Sequence, residues 1–412
     1  MKKEWPTKTL AEVCQIKPPK SEARDKVSAS SLVSFLPMEG MGIDVKFVQA
    51  TQTKPLSAVV GSYTYFADGD VLLAKITPCF ENGKLGIADG LKNGIGFGSS
   101  EYIVFRPDPT VSKEWLYYFL SRETFRVEGA ARMTGAVGHK RVSKEFIEEY
   151  PIPVPPLAEQ QRIVGLLDEA FAGLATAKAN AEKNLQNARA LFESHLQSVF
   201  TQRGPGWVEK PLGEVCDLQN GYAFKSGDYI NSSNTLNIRM SSIRPGGSFD
   251  SEHNQRFLPD AYAKDYAAFL LNEGDLIIAM TDMAGDPKIL GVPTLVGSLD
   301  GRNFLMNQRV GKLFGFSADV RPPYLRYFLT SPSVKQFYKS KGAGGLQINI
   351  SKGDILSVKI PLRELVKQDR LVSQLDELSE ETQRLARLYQ QKLAALEALK
   401  KSLLHQAFTG LL

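Results

Sequence analysis

Residues Ile152–Glu169 read "IPVPPLAEQQRIVGLLDE", and residues Ile360–Glu377 read "IPLRELVKQDRLVSQLDE". The fold turns on this pair. Each begins with a proline-bearing extended run, which excludes helix just before proline and suits the first helical turn just after it. Helices are therefore expected to start near Leu157 and Leu365 and to run for about 40 residues, roughly 60 Å at about 1.5 Å per residue. In the second helix Leu371, Leu378, Leu385, Lys392 and Leu399 recur at sevens, with Leu375, Thr382, Tyr389, Leu396 and Leu403 between them. The matching positions in the first are Ile163, Ala170, Ala177, Asn184 and Leu191, with Leu167, Leu174, Ala181, Ala188 and His195. An apolar repeat every 3.5 residues marks a coiled-coil seam. The plainer alternative is two unrelated amphipathic helices, each packed on its own domain. The seam favours pairing, because the alanine-rich helix lets the leucine-rich one approach closely.

The match extends outward in both directions. "WPTKTLAEVC" from Trp5 answers "WVEKPLGEVC" from Trp207, and "DGDVLLAKIT" around Asp70 answers "EGDLIIAMTD" around Asp275. "WLYYFLS" at Trp115 answers "YLRYFLT" at Tyr324, and "HLQSVFTQ" from His195 returns near the end as "LLHQAFTGLL". The offset drifts from 202 to 209 residues, as a few loop insertions in the second copy would produce. Five segments in order and register establish a duplication. Each copy opens with short β-branched and aromatic runs broken by Gly, Pro and Asn, which read as strands and turns. Helices are expected at Ser112–Ser121 and Pro322–Thr330. The fold class is α+β: two duplicated mixed α/β domains joined by two long antiparallel coiled-coil helices in a pseudo-two-fold arrangement. The segments are 1–156, 157–203, 204–364 and 365–412.

A chain of 412 residues exceeds one compact core, and its composition (43% hydrophobic, 23% charged) is ordinary for a folded protein. No apolar run reaches the roughly 18 residues of a membrane span, and "MKKEWPTKTL" lacks the apolar core of a signal peptide. A cytoplasmic protein without a membrane partner is expected. Three cysteines, Cys14, Cys79 and Cys216, form no disulfide framework or CxxC pattern, and four scattered histidines offer no metal site. A net charge of +5 permits a polyanionic partner without requiring one.

The search for catalytic motifs returns nothing usable. "RPPY" at Arg321–Tyr324 resembles the Asn/Asp/Ser-Pro-Pro-aromatic motif of adenine methyltransferases. Arginine has donors and no acceptor, so it cannot accept the hydrogen bond from the target amino group that the first position must accept. The run reads as a helix N-terminus. "GIGFGS" at Gly94 has the wrong glycine spacing for a dinucleotide turn, and no GxxxxGK[ST] or HExxH occurs. The "PD" at Pro107 lacks the acid-x-Lys of a nuclease, and Cys14 and Cys216 read as core residues. No catalytic residue is assigned.

Positive charge collects in two glycine-rich loops, each just before a proline hinge. One, "RMTGAVGHKRVSK", carries Arg132, His139, Lys140, Arg141 and Lys144. The other, "SVKQFYKSKGAGGLQINISKG", carries Lys335, Lys339, Lys341, Gln347, Asn349 and Lys352. Flexible loops with cations and amide or imidazole groups suit phosphate contact with base edges nearby, although solvated loops would look the same. A second candidate surface follows the Gly-Asp strands, with Lys75, Asn82 and Lys84 in one copy and Asp282, Asp286 and Lys288 in the other. A third, in the second copy only, is "NIRMSSIRPGG" with Arg239 and Arg244.

These residues resemble the specificity subunits of type I restriction-modification systems, over the whole chain. The resemblance rests on the two helix entries, the "GDVLLAKITP" strand and the terminal "LLHQAFTGLL". Pro153, Leu157, Gln160, Arg162 and Asp168 match the family's entry to its central helix, as Pro361, Leu365, Gln368, Arg370 and Asp376 match the entry to the terminal one. The resemblance implies two target-recognition domains gripping the halves of a bipartite double-stranded DNA site. It implies helices that serve as a ruler and dock two modification subunits, which methylate adenine with S-adenosylmethionine, and restriction or translocase subunits can join. No cofactor is expected on this chain. "LVKQDR" departs from the acidic "LAEQQR", which would make the two docking faces chemically unequal.

Overall fold

The computed structural model describes residues 5–136, 138–202 and 205–412. Val137, inside the first basic loop, and Arg203 and Gly204, at the expected boundary between segments, lie outside that set, as do Met1–Glu4 of the N-terminal run. The chain forms two compact units: Met1–Glu182 with Gln391–Leu412 (unit 1), and Lys183–Gln390 (unit 2). Both long helices have 45 residues, Leu157–Thr201 and Leu365–Thr409. Each unit thus takes the start of one helix and the end of the other, so compactness groups the chain differently from the four sequence segments.

The duplication reappears as topology. In unit 1, Leu32–Leu36 lies parallel to Ile95–Gly98, flanked by Gln52–Pro55 and Thr64–Ala67. A five-stranded sheet runs Cys14–Ile16, Tyr102–Pro107, Val71–Ala74, Leu85–Ala88, Phe47–Val48. In unit 2, Thr235–Ile238 lies parallel to Asn303–Met306, flanked by Phe257–Leu258 and Leu270–Leu271. Its other sheet runs Asp217–Asn220, Val310–Phe314, Leu276–Ala279, Pro293–Leu295. A two-stranded clasp joins Thr7–Thr9 to Pro151–Pro153 in unit 1 and Val208–Pro211 to Lys359–Leu362 in unit 2.

The Gly-Asp turns before the central strands are alike in detail. Gly69 and Gly274 take φ of +89° and +81°, a region that costs an L side chain strain. Asp70 and Asp275 then fold back to accept from the backbone N–H of Ala67 and Asn272, each at 2.7 Å. Buried Asp70 is further held by Arg106 at 2.7 and 2.8 Å, and Asp275 by Lys312 at 2.7 Å.

The helix entries explain their glutamines. Gln160 is fully buried; its Oε1 accepts from the N–H of Ser112 (2.8 Å), while its Nε2 donates to the carbonyls of Thr110 and Pro155 (both 2.8 Å). Gln368 repeats all three bonds, with the N–H of Arg321 (2.9 Å) and the carbonyls of Asp319 (2.8 Å) and Arg363 (2.7 Å). Each amide therefore satisfies backbone groups that would otherwise be buried and orphaned. "RPPY" is a helix start, as its prolines suggested: the helix is Pro322–Thr330, and the Tyr324 hydroxyl is buried, donating to the carbonyl of Pro361. In unit 1 the indole N–H of Trp115 does the same to Pro153 at 3.0 Å.

The repeated helical tails close the two cores. Phe408 packs on Trp115 (4.3 Å between centroids) and Phe119 (5.3 Å) in unit 1. Phe200 packs on Tyr324 and Phe328 (both 5.4 Å) in unit 2. Ile163, Leu167 and Leu375 of the seam are buried, and Leu174, Leu371, Leu378, Leu385, Leu396 and Leu403 are half-buried. Five seam positions need correcting: Leu191 is 52% exposed and Leu399 48%, and Asn184, His195 and Lys392 are exposed as well. The inward face passes instead through Phe192 and Leu196 in the first helix, and through Leu393, Lys400 and Leu404 in the second. An α-helix slips by about 20° per heptad against a 3.5 repeat, so after about four heptads the inward position moves on by one residue.

Cys14 and Cys216 are buried among apolar side chains, and burial pushes both thiols up to about 12. They are core residues.

Candidate nucleic-acid interface

In unit 1 the chain leaving strand Val71–Ala74 meets the basic loop directly. The N–H of Thr77 donates to the carbonyl of Lys140 (2.9 Å), that of Val142 to Lys75 (3.0 Å), and Ile76 bridges Arg141. Two segments that the sequence suggested separately, residues 75–84 and 132–144, are therefore one surface. Arg141 forms a two-pronged pair with Glu101 (2.9 and 2.7 Å), and Lys75 lies 4.0 Å from the same carboxylate. The Arg141 hydrogen bonds hold the Glu101 carboxyl below its ordinary value against the opposing pull of partial burial. Lys84 donates to the carbonyl of Met38 at 2.8 Å, Lys144 lies 3.2 Å from Glu148, and Arg132 lies over the Phe146 ring at 5.3 Å. Asn82, His139 and Lys140 are exposed at the rim. Beside this joint opens a cavity of about 740 Å³, to which Lys17 and Lys20 add charge and Tyr63, Tyr65 and Tyr102 add rings.

Unit 2 builds the same joint as a short sheet. Thr281–Met283 pairs antiparallel with Gln347–Asn349, and the Asn349 Oδ1 accepts from the Thr281 hydroxyl at 2.6 Å. Asp282, expected at the surface, is buried. Its carboxylate accepts from the N–H groups of Met283 (2.7 Å), Ile289 (2.5 Å) and Leu290 (3.1 Å), so it organises the loop from within. Lys352 is tied to Asp217 at 2.7 Å, Lys288 lies 3.3 Å from Asp286, and Lys341 lies over the Phe337 ring at 5.6 Å. Lys339 is exposed and Gln347 half-buried. Two apolar side chains stand out beside them, Met283 at 54% exposure and Leu346 at 87%. The third candidate surface splits. Arg244 sits in a tight turn, its N–H donating to Ser248 and its carbonyl accepting from Gly247, whereas Arg239 is half-buried beside Arg309 in a separate pocket.

Sequence reading passed over Lys17, Lys20, Arg256 and Arg309. The first two lie far from the basic loops in the chain and come near them only through sheet pairing. Arg309 had a visible signal: it opens "RVGKLFGF" where Glu101 opens "EYIVFRP", and setting those runs side by side exposes an acid-to-base exchange.

A profile described as "Type I restriction modification DNA specificity domain" matches residues 2–185 and 205–397. The chain belongs to this family. It is the DNA-recognition component of a type I restriction-modification system and not an enzyme, and its two matched regions correspond to the two copies. Among named relatives, the EcoAI specificity subunit of Escherichia coli is 26% identical, over 91% of this chain and 77% of its own. The EcoEI specificity subunit of Escherichia coli is 41% identical over 162 residues, 39% of this chain and 27% of its own. The HsdS subunit from Thermoanaerobacter tengcongensis shares the fold, with a TM-score of 0.62 at 19% identity over 99% of this chain and 97% of that one. A chain from a structure of type I restriction-modification assembly and conformational transition aligns with a TM-score of 0.78 at 20% identity, over 99% and 98%. Among the described residues of this specificity subunit, no helix is long and apolar enough to cross a membrane.

Proposed function

We propose that this specificity subunit reads a bipartite, asymmetric DNA site, each half by one recognition domain, residues 1–156 and 204–364. The long-helix segments, 157–203 and 365–412, dock two modification subunits. Those subunits, not this chain, bind S-adenosylmethionine and methylate adenine N6, and restriction or translocase subunits can join them in the cytoplasm. One observation carries the reading: the same strand-to-loop joint is built twice on matched frameworks but displays different side chains. His139 and Lys140 stand at one rim, Met283, Leu346 and Gln347 at the other. A duplicated scaffold with unlike tips suits two unlike half-sites, since base edges in the major groove are told apart by a few side chains. Cationic loops supply the sequence-independent phosphate attraction that such reading needs.

The test is to co-express the chain with its modification subunits in a methylation-free host and to map N6-methyladenine across the genome. Two short specified halves around a fixed unspecified spacer are expected. A continuous motif, or none despite a soluble complex, would overturn the bipartite reading. Exchanging Thr134–Val142 for the corresponding loop of a relative should alter one half and leave the other unchanged.

A further inference from the structure

In unit 2 the parallel strands Thr235–Ile238 and Asn303–Met306 end side by side, and the N–H of Asn307 donates to the carbonyl of Ile238 at 2.9 Å. The first strand runs into Arg239, the second into Asn307, Gln308 and Arg309. They open on a cavity of about 380 Å³ that Tyr229, Ser241 and Asn254 also line. Arg256 lies near enough to act on Arg239, as does Arg309. Among the described residues, no carboxylate pairs with any of the three guanidiniums; Arg239 reaches only the carbonyl of Asn254 and Arg256 that of Gln255, both at 3.3 Å. The Nε of Arg239 and the hydroxyl of Ser241 are buried without a partner. Burial, and behind it the repulsion of Arg256 and Arg309, disfavours the charge on Arg239 despite help from Tyr229.

Like charges crowded around unsatisfied donors are costly unless an anion completes them. Several guanidinium N–H groups, a hydroxyl and side-chain amides around a small cavity match the oxygens of a phosphate, which Arg binds with two prongs. Unit 1, among its described residues, carries no such cluster at the matching positions. Its counterpart of Arg309 is Glu101, placed by the same backbone bond (Lys75 N–H to Glu101, Met280 N–H to Arg309, both 2.9 Å), and Pro37 follows the strand where Arg239 does.

We propose that the pocket lined by Arg239 and Arg309, with Arg256 beside it, binds a phosphate group, and that its occupant is a backbone phosphate of DNA bound by unit 2. The second half of this statement rests on the DNA-recognition reading above. The phosphate contact fixes how unit 2 lies on the duplex and carries no sequence information itself.

The test uses the complex with its modification subunits and a duplex bearing the mapped site. Affinity is measured against salt for the wild type, Arg309→Ala and Arg239→Gln, with thermal melting to verify folding and Arg309→Lys as the conservative variant. Loss of one phosphate contact should reduce the salt slope by about 0.9. Arg309→Ala should weaken cognate and unrelated duplexes alike while the methylated motif stays the same, and Arg309→Lys should restore part of the slope. A neutral methylphosphonate placed singly along the half-site of unit 2 should weaken the wild type at one position and leave Arg309→Ala indifferent there. Wild-type slope and affinity in folded Arg309→Ala and Arg239→Gln would overturn the pocket. Binding of inorganic phosphate by the wild type, lost in Arg309→Ala with DNA affinity unchanged, would assign it to a free anion and overturn the DNA occupant. Absence of duplex binding by the wild type would instead overturn the DNA-recognition reading itself.

Discussion

Glu101 in unit 1 and Arg309 in unit 2 occupy the same backbone station, one carrying a carboxylate and the other a guanidinium. Around Glu101 the neighbouring cations are neutralised, since Arg141 and Lys75 both turn to it. Around Arg309 they are not, since Arg239 shares its cavity and Arg256 acts on Arg239 from nearby, with no carboxylate paired to any of them among the described residues. The helix entries show the reverse. Gln160 and Gln368 make the same three bonds, and Asp168 and Asp376 both accept from a tyrosine hydroxyl, of Tyr118 and Tyr327. A buried amide that satisfies three backbone groups cannot change without orphaning them, whereas a rim residue facing water can change at little cost to folding. Two copies of one scaffold can therefore keep their frames alike while their surfaces diverge.

The largest effects should fall on the shared frame. Phe408→Ala should destabilise unit 1 by about 3–5 kcal/mol and Phe200→Ala unit 2 by a similar amount. Hydrogen exchange should show the loss at Lys113–Leu120 for the first and at Pro322–Thr330 for the second. Equal loosening of both helices by either variant would break the assignment of one tail to each core. Gln160→Ala and Gln368→Ala should each cost about 1–3 kcal/mol by chemical denaturation, the penalty of leaving buried backbone groups unpaired.

Next come changes at the divergent station. Glu101→Arg would give unit 1 the charge of unit 2, releasing Arg141 and Lys75, and should steepen the salt dependence of DNA binding by about one to two. An unchanged slope would mean that this face does not meet phosphates. Lys140→Ala should flatten the slope by about 0.9. Acid should act on unit 1 through the same carboxylate. Because Glu101 titrates below its ordinary value of 4.5 when folded, its pairing with Arg141 contributes fully above that value and fades as pH falls through the depressed one. The protection of the amides in residues 138–142, with exchange corrected for its intrinsic pH dependence, should therefore fall on acidification in the wild type and stay constant in that range in Glu101→Gln.

The smallest effect sharpens the account of the helices. Leu191→Gln and Leu399→Gln, on the exposed side, should stay within about 0.5 kcal/mol of the wild type. Phe192→Ala should cost more, with all three variants compared by thermal melting. Equal costs would restore the uninterrupted heptad.

Residue order alone determined the duplication, the helix starts after "IPVPP" and "IPLRE", the lack of a working methyltransferase motif at "RPPY", and the family. The helix starts and the failed motif rest on local rules, proline geometry and the donor inventory of arginine, whereas the duplication and the family rest on the likeness of whole motifs. Only the tertiary structure decided which rings the two helical tails pack on, and that the basic loops and the turns after the Gly-Asp strands form one surface. It moved Leu191 and Leu399 out of the seam and turned Asp282 inward. It also assembled Arg239, Arg256 and Arg309 from three separate segments. The physical reason is common to all of these. Periodicity reports the average pitch of a helix but not the residue at which a small slip accumulates into a new face. Sheet pairing, with which proximity between distant loops begins, leaves almost no local mark in the residues that it brings together.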